Sequence, residues 1–335
     1  MKIFGINLAG PVREEVERFL ASNGLKLEKD VEYTAVAVCR EEIVGTCSFA
    51  GNVVKCFAVR PDWQGAGIAA QLLTHISDIL FSKGITETFI FTKPENGQLF
   101  SGLGYRSVAA TPQVILLEGG TANIGRYINE MVREAGINGT EKAAIVMNCN
   151  PFTLGHRYLI ETAARENEQV IVFVVEENRS CFSFTQRLNL VRQGTADLTN
   201  VIVIPGGRYI ISANTFPTYF LKDRQISVYQ ELDALIFARY LAPAFNIRIR
   251  YVGTEPHCQV TNNYVEALQK ILPSYGVKVC LVERVKSKGE CISASRVRQL
   301  YEKCHWEELR DLLPPCTYDF LRNYPNPGSQ ANQAD

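Results

Sequence analysis

The chain has 335 residues, 46% hydrophobic and 21% charged, which suits two globular domains and not a disordered chain. Lys plus Arg and Asp plus Glu each number 35, so the net charge is zero and gives no basis for broad binding of nucleic acid or of an anionic membrane surface. Apolar runs stop well short of the ~18 residues of a spanning helix, the N-terminus lacks a signal-peptide pattern, and none of the ten cysteines forms a C-x-x-C pair. A cytoplasmic protein with reduced thiols and no bound metal site is therefore expected.

In chain order, Val12, Val16, Phe19 and Leu20 fall on one helical face. Tyr33–Arg40 and Ile43–Phe49 read as a β-hairpin turning at Glu41-Glu42, and Val53–Val59 as a third strand. The segment Arg60–Gly67 then opens a helix over 68–82, with Leu72, Leu73, Ile76, Ile79 and Leu80 inward and Gly84 as its stop. A strand over 86–92, a short helix over 96–103 and further strands up to 117 complete a mixed α/β domain, residues 1–118. Residues 119–140 read as a linker carrying a helix. From 141 to 323 the pattern is regular. Strands at 143–147, 170–175, 201–205, 247–252 and 277–282 alternate with helices at 155–167, 185–195, 227–241, 262–272 and 294–303. That alternation predicts βαβ units, a parallel sheet and a Rossmann-like domain. The polar tail 324–335 is expected to be disordered.

The chemistry concentrates where strand 143–147 ends. The run Asn148-Cys149-Asn150-Pro151-Phe152-Thr153-Leu154-Gly155-His156 is a loop entering a helix. Ligands of open parallel sheets sit beyond the C-terminal strand ends, and a helix N-terminus offers bare N–H groups to a phosphate. Gly155 allows close backbone approach, and His156 would aim a donor at the same phosphate. A second helix start, Ile292-Ser293-Ala294-Ser295-Arg296-Val297-Arg298, follows the last strand. There Ser293 suits an N-cap, and Ser295 with the first-turn N–H groups suits phosphate oxygens. Gly253-Thr254, at the end of strand 247–252, is a plausible adenosine pocket. Asn178-Arg179 and Arg187 could supply basic groups, although Arg187 reads equally as a surface helix charge. The aromatic insert 206–226 is too long for a plain connection.

Thr153-Leu154-Gly155-His156 resembles the T/H-x-G-H signature of the nucleotidylyltransferase superfamily, and Ile292–Arg298 resembles its I-S-S-T-x-I-R half, with Ala294 in place of a serine. Arg298 matches the superfamily's basic position; Arg296 stands at a variable one. Independently, Gln64-Gly65-Ala66-Gly67-Ile68-Ala69 resembles the Q/R-x-x-G-x-G/A loop of GNAT-type acetyltransferases, and Phe100–Tyr105 resembles that fold's F-Y-x-x-x-G-F/Y segment. With the aromatic insert, these motifs make the whole chain similar to the citrate lyase ligase family.

The resemblance implies an acid–thiol ligase that uses ATP and acetate, releases AMP and pyrophosphate by way of acetyl-AMP, and acetylates the thiol on the acyl carrier subunit of citrate lyase. It implies catalysis by His156, Thr153 and Arg298. ATP would be held by Asn150, Phe152, Gly155, Gly253, Thr254, Ser293, Ser295, Arg296, Arg179 and Arg187, with Mg²⁺ on its phosphates. Gln64, Gly65, Gly67 and Ala69 would receive a coenzyme-A-like arm. Two alternatives stay open. One is an amine acetyltransferase fused to a nucleotidylyltransferase. The other is an inactive nucleotide-sensing module, suggested by Thr153 and Ala294.

Overall fold

The computed structural model describes residues 1–137, 139–177, 180–211, 216–220, 227–254 and 259–325. Asn178, Arg179, part of the insert 206–226 and nearly all of the tail 324–335 lie outside the described residues. The chain forms two compact units, the first Met1–Tyr127 with Phe216–Leu232, the second Ile128–Thr215 with Asp233–Asp335. Part of the insert thus belongs to the first unit, a crossing that the domain limits read from the sequence do not contain. Among the described residues no helix is long and apolar enough to cross a membrane, and the nine cysteines described are free thiols.

The first unit runs β1 (Lys2–Ile6), α1 (Gly10–Ser22), β2 (Tyr33–Cys39), β3 (Glu42–Ala50), β4 (Val53–Val59), α2 (Ile68–Ser82), β5 (Glu87–Thr92), α3 (Gly97–Gly102), β6 (Arg106–Ala110) and β7 (Ile115–Gly120). Its seven strands order as β1-β2-β3-β4-β5-β7-β6, antiparallel except for β4 against β5. Leu72, Leu73, Ile76 and Leu80 of α2 pack on Ala35, Val44 and Phe49 of the sheet, the face predicted from helical spacing. The β2–β3 turn uses Arg40 (φ 51°) and Glu41 (φ 67°) in the left-handed region, the twist a two-residue hairpin requires.

The β4–β5 pair matters most. Its ladder covers only Val53–Val54 against Phe89–Ile90. Just beyond, β4 carries a bulge: Lys55 opposes Ser48 and Ala58 opposes Thr46, leaving Cys56 and Phe57 against Cys47 alone. Cys56 takes φ 52° there. Such a bulge bends the strand that contains it, and β4 and β5 part.

After α4 (Ile124–Glu134), the second unit runs β8 (Lys142–Met147), α5 (Leu154–Glu166), β9 (Val170–Val174), α6 (Phe184–Gly194) and β10 (Val201–Pro205). It continues through α7 (Ser227–Ile236), a wide π turn over Phe237–Leu241, α8 (Ala242–Ala244), β11 (Ile247–Gly253), α9 (Gln259–Ile271) and β12 (Lys278–Val282). A small hairpin, β13 (Lys286–Ser287) with β14 (Glu290–Cys291), leads into α10 (Ala294–Glu302), α11 (Trp306–Arg310) and α12 (Pro315–Asn323). The five strands are all parallel, in the order β10-β9-β8-β11-β12. Strand order therefore reverses between β8 and β11, and open α/β sheets bind ligands in the crevice at such a switch point.

The sequence patterns omit β1, the β13–β14 hairpin, α11 and α12. β1 is an edge strand with three of its five residues exposed, so no apolar alternation marks it. α11 has five residues and α12 starts on Pro315; both are held by a shared core of Leu309, Leu312, Leu313 and Leu321 with Phe182 and Ile292.

Gly194, in the last turn of α6, has a tertiary role. A Cβ there would stand 2.4 Å from Cε1 of Phe152, a fully buried ring. Alanine ordinarily stabilises a helix by about 1 kcal/mol over glycine. At this position the clash should dominate, and Gly194→Ala should lose about 1–3 kcal/mol in urea unfolding. A rise in the unfolding midpoint would show that Phe152 can yield.

Candidate functional site

β8 is buried along nearly its whole length, and the chain leaves it through Asn148 and Cys149, the latter at φ 53°. Thr153 then takes an extended conformation and caps α5. Its hydroxyl accepts from His156 N–H at 3.4 Å, while His156 Nδ1 accepts from Thr153 N–H at 3.0 Å. A backbone N–H can only donate, so Nδ1 carries the lone pair and the ring proton sits on Nε2. The Thr153 hydroxyl lies 2.9 Å from the same Nδ1. Phe152 stacks behind the imidazole, with centroids 6.0 Å apart and planes at 14°. His156 as a residue is half-buried. Desolvation, with the positive charge of Arg284 second, pushes its pKa down to about 4. His156 is thus a fixed, neutral N–H donor at physiological pH.

The two sequence motifs meet at Gly155. A Cβ there would lie 3.1 Å from the Ile292 carbonyl oxygen and 3.5 Å from Ile292 Cβ. Its lack of a side chain seats α5 against the segment that enters α10, a different close approach from the ligand contact expected from the sequence. Leu154 N–H also bonds to the Leu312 carbonyl at 2.9 Å. Ser293 caps α10 by accepting from Arg296 N–H at 3.2 Å. Two helix N-termini, each with first-turn N–H groups, therefore lie beside the end of β8.

The two arginines of the second motif diverge. Arg298 donates to the Asn150 carbonyl at 2.5 Å and to Ser295 Oγ at 3.1 Å, placing its charge on the first motif's loop. Arg296 turns to Glu290 at 3.1 Å and Glu308 at 3.9 Å instead. Asn150 Oδ1 accepts from Phe182 N–H at 3.3 Å, which ties the loop to the core under α10.

Arg187 is fully buried, so the surface-charge reading is wrong for it. Its guanidinium donates to the carbonyls of Asn148 (2.6 Å), Val175 (3.0 Å), Glu177 (2.6 Å) and Phe182 (3.2 Å), and to Asn148 Oδ1 (2.7 Å). Those bonds hold together the chain segments leaving β8 and β9, so Arg187 shapes the site rather than facing a phosphate. Arg179 lies outside the described residues. At the end of β11, Gly253 has open space where a Cβ would stand, and Thr254 N–H bonds to Val282 O at 2.9 Å. Arg284, a residue the motifs did not single out, donates through Nε to the Thr254 carbonyl at 2.8 Å and acts electrostatically on His156. It follows β12 with no motif around it; only the fold brings it to the site. Gln64, Gly65, Gly67 and Ala69 belong to the first unit, where they line a cavity of about 530 Å³.

The lowered pKa of His156 has a consequence for stability. A histidine whose folded pKa is near 4 and whose unfolded value is near 6.5 stabilises the fold fully above pH 6.5 and progressively less as pH falls toward 4. Between pH 7.5 and pH 5 the wild type should therefore lose more unfolding free energy than His156→Gln. Equal losses would mean that the folded protein protonates the ring freely.

Residues 142–321 match the family described as the citrate lyase ligase C-terminal domain, and residues 30–107 match the acetyltransferase (GNAT) domain. The [citrate [pro-3S]-lyase] ligase of Klebsiella pneumoniae is 40% identical over 320 residues, covering 93% of each chain. That of Escherichia coli (strain K12) is 37% identical over 317 residues, covering 92% of this chain and 90% of its own. The phosphopantetheine adenylyltransferase of Corynebacterium efficiens is 38% identical over 65 residues, 18% of this chain and 41% of its own. With the all-parallel sheet of the second unit, these matches give a GNAT acetyltransferase fold followed by a Rossmann-like domain, and the chain belongs to the citrate lyase ligase family.

Proposed function

We propose that the chain activates citrate lyase by joining acetate to the thiol of its acyl carrier subunit, with ATP converted to AMP and pyrophosphate through acetyl-AMP. The observation that carries this reading is the convergence of two helix N-termini, the neutral Nε2–H of His156 and the Arg298 guanidinium at the switch point of a parallel sheet. The curated relatives are named as ligases of citrate lyase, and the shorter match is named as an adenylyltransferase.

The first step needs no general base. Acetate is already anionic at neutral pH; its oxygen attacks the α-phosphorus, the bond to the bridging oxygen breaks, and pyrophosphate leaves. What the protein must supply is position and charge stabilisation. His156 fits that role, because its proton is on Nε2 and its lone pair is taken by Thr153. Arg298 and the first-turn N–H groups of α5 and α10 would take phosphate oxygens, and Mg²⁺ held by the triphosphate itself would supply further charge neutralisation. In the second step the carrier sulfur attacks the acetyl carbon, the carbon–oxygen bond to AMP breaks, and the thiol proton goes to solvent. Thr153 acts through His156 by fixing its tautomer.

Acetate-dependent exchange of labelled pyrophosphate into ATP tests the first step. It should be present in the wild type and fall ~10²–10³-fold in His156→Ala. Exchange within threefold of wild type in that variant, or no exchange in wild type, would overturn the assignment; the latter outcome favours a nucleotide sensor. Arg298→Ala should lose about 1.5–3 kcal/mol of ATP-dependent transition-state binding. Arg296→Ala should change it by less than about 1 kcal/mol, because its partners are largely exposed. A reversed order would mean that Arg296 swings to the phosphates.

A further inference from the structure

Arg250 lies in the middle of β11 and is 2% exposed. Ile249 and Tyr251 on either side of it belong to the core under α5 and α6. Alternation along the strand turns Arg250 to the other face, where α7 and α9 supply its neighbours. Its register partners are Ala144 on β8, across the switch point, and Val279 on β12. The guanidinium carbon sits 4.4 Å from the centroid of the Phe237 ring. Nη2 reaches Tyr264 Oη only at 3.5 Å, and Nε and Nη1 are buried with no hydrogen-bond partner among the described residues.

The acid in this cluster leaves those donors unmet. Asp233 is 3% exposed; it accepts from Ile211 N–H through Oδ1 at 2.8 Å and from the Tyr264 hydroxyl through Oδ2 at 2.6 Å. It acts on Arg250 through space, with no ion pair between them among the described residues. Burial raises the Asp233 carboxyl above its ordinary pKa, which weakens it as a counter-ion.

A buried guanidinium with unmade hydrogen bonds is costly. Arg187, equally buried, spends its donors on four carbonyls and one amide oxygen. Arg250 has a ring against one face and donors left over, an arrangement that suits a planar anion with two acceptor oxygens. Ala144 and Val279 beside it are small and apolar, so the carbon chain of that anion must be short. Arg250 and Ala144 stand three residues before their strand ends, Gly253 and Met147. At about 3.3 Å per residue that is roughly 10 Å beneath the loops of the candidate site. In the reaction proposed above the helix starts take the triphosphate, and the carboxylate substrate needs a cation of its own.

We infer that Arg250 binds the carboxylate of acetate in a buried subsite on the α7–α9 face of β11, with Asp233 and Tyr264 as positioning residues and Ala144 limiting the length of the acid. The inference deepens the ligase reading and rests on it for the identity of the acid.

Saturation-transfer NMR on the acetate methyl, with the full chain and α,β-methylene-ATP, reads occupancy without turnover. Transfer should be present in the wild type and lost in Arg250→Met and Arg250→Gln. In acetate-dependent pyrophosphate exchange both variants should raise the KM for acetate about tenfold or more, with the KM for ATP within about twofold of wild type. A merely structural role would move both constants together or neither. Ala144→Gly, which leaves the charge in place, should shift kcat/KM several-fold from acetate toward propionate, and keeps the test open if the Arg250 variants fold poorly. The inference is overturned by absence of transfer in the wild type, by transfer retained in the Arg250 variants, by equal rises in both KM values, or by an unaltered acid preference in Ala144→Gly. Equal transfer to formate, acetate and butyrate would mean an unselective anion site and would overturn the acetate assignment. Transfer that depends on Arg250 in a wild type without exchange would remove the ligase reading while leaving a carboxylate site at Arg250.

Discussion

One close approach organises the second unit: Gly155 lies against the carbonyl of Ile292, where a Cβ would stand at 3.1 Å. That contact sets the first turn of α5 beside the segment that becomes α10, although the two are about 140 residues apart in the chain. Two helix N-termini side by side present like partial charges to one another. The arrangement is electrostatically unfavourable by itself and becomes favourable when an anion lies between the two ends. Capping by Thr153 and Ser293 satisfies part of the first-turn N–H groups, and N–H groups left bare at a helix start favour an anion in general.

Charge around this site is arranged so that shape and reactivity come from different residues. Arg187 is completely buried, which would be costly for a bare guanidinium; four carbonyls and one side-chain amide oxygen satisfy it instead. It fixes the paths leaving β8 and β9. Arg298 and Arg284 stay nearer the surface and lie around His156 and its loop. Positive charge close to an imidazole disfavours its protonation, and so does burial. Both effects leave His156 a neutral donor.

In the first unit a single strained residue has a comparable reach. Cys56, at φ 52° in the β4 bulge, turns the strand away from β5 and opens the gap that Tyr219 fills. The plug comes from the chain between β10 and β11, so the insert's aromatic composition reflects burial against this unit. Buried Lys55, paired with Glu28 at 2.8 Å and Asp30 at 3.0 Å, ties down the loop that also holds Thr218 through Glu28.

Much of this was legible in the sequence, for local reasons. The period of 3.6 in α2, the alternation of strands and helices after 141, and the capping residue at Ser293 are properties of neighbouring side chains, and neighbouring side chains decide them. The motif positions could be assigned to the ends of strands and the starts of helices before any fold was known. Tertiary structure alone decided the rest. Arg187 read equally as a basic group for a ligand or as a surface charge, and Arg296 stood at a variable position, because charge carries no direction in a sequence; in the fold Arg187 is buried under Asn148 and Arg296 pairs with Glu290. Gly155 looked like a ligand contact, but its missing Cβ accommodates Ile292. Arg284 had no motif, and Tyr219 sat in a segment whose partner strand lies about 130 residues earlier. Contacts of that sequence separation depend on which surfaces the folded chain brings together, and no local pattern encodes them.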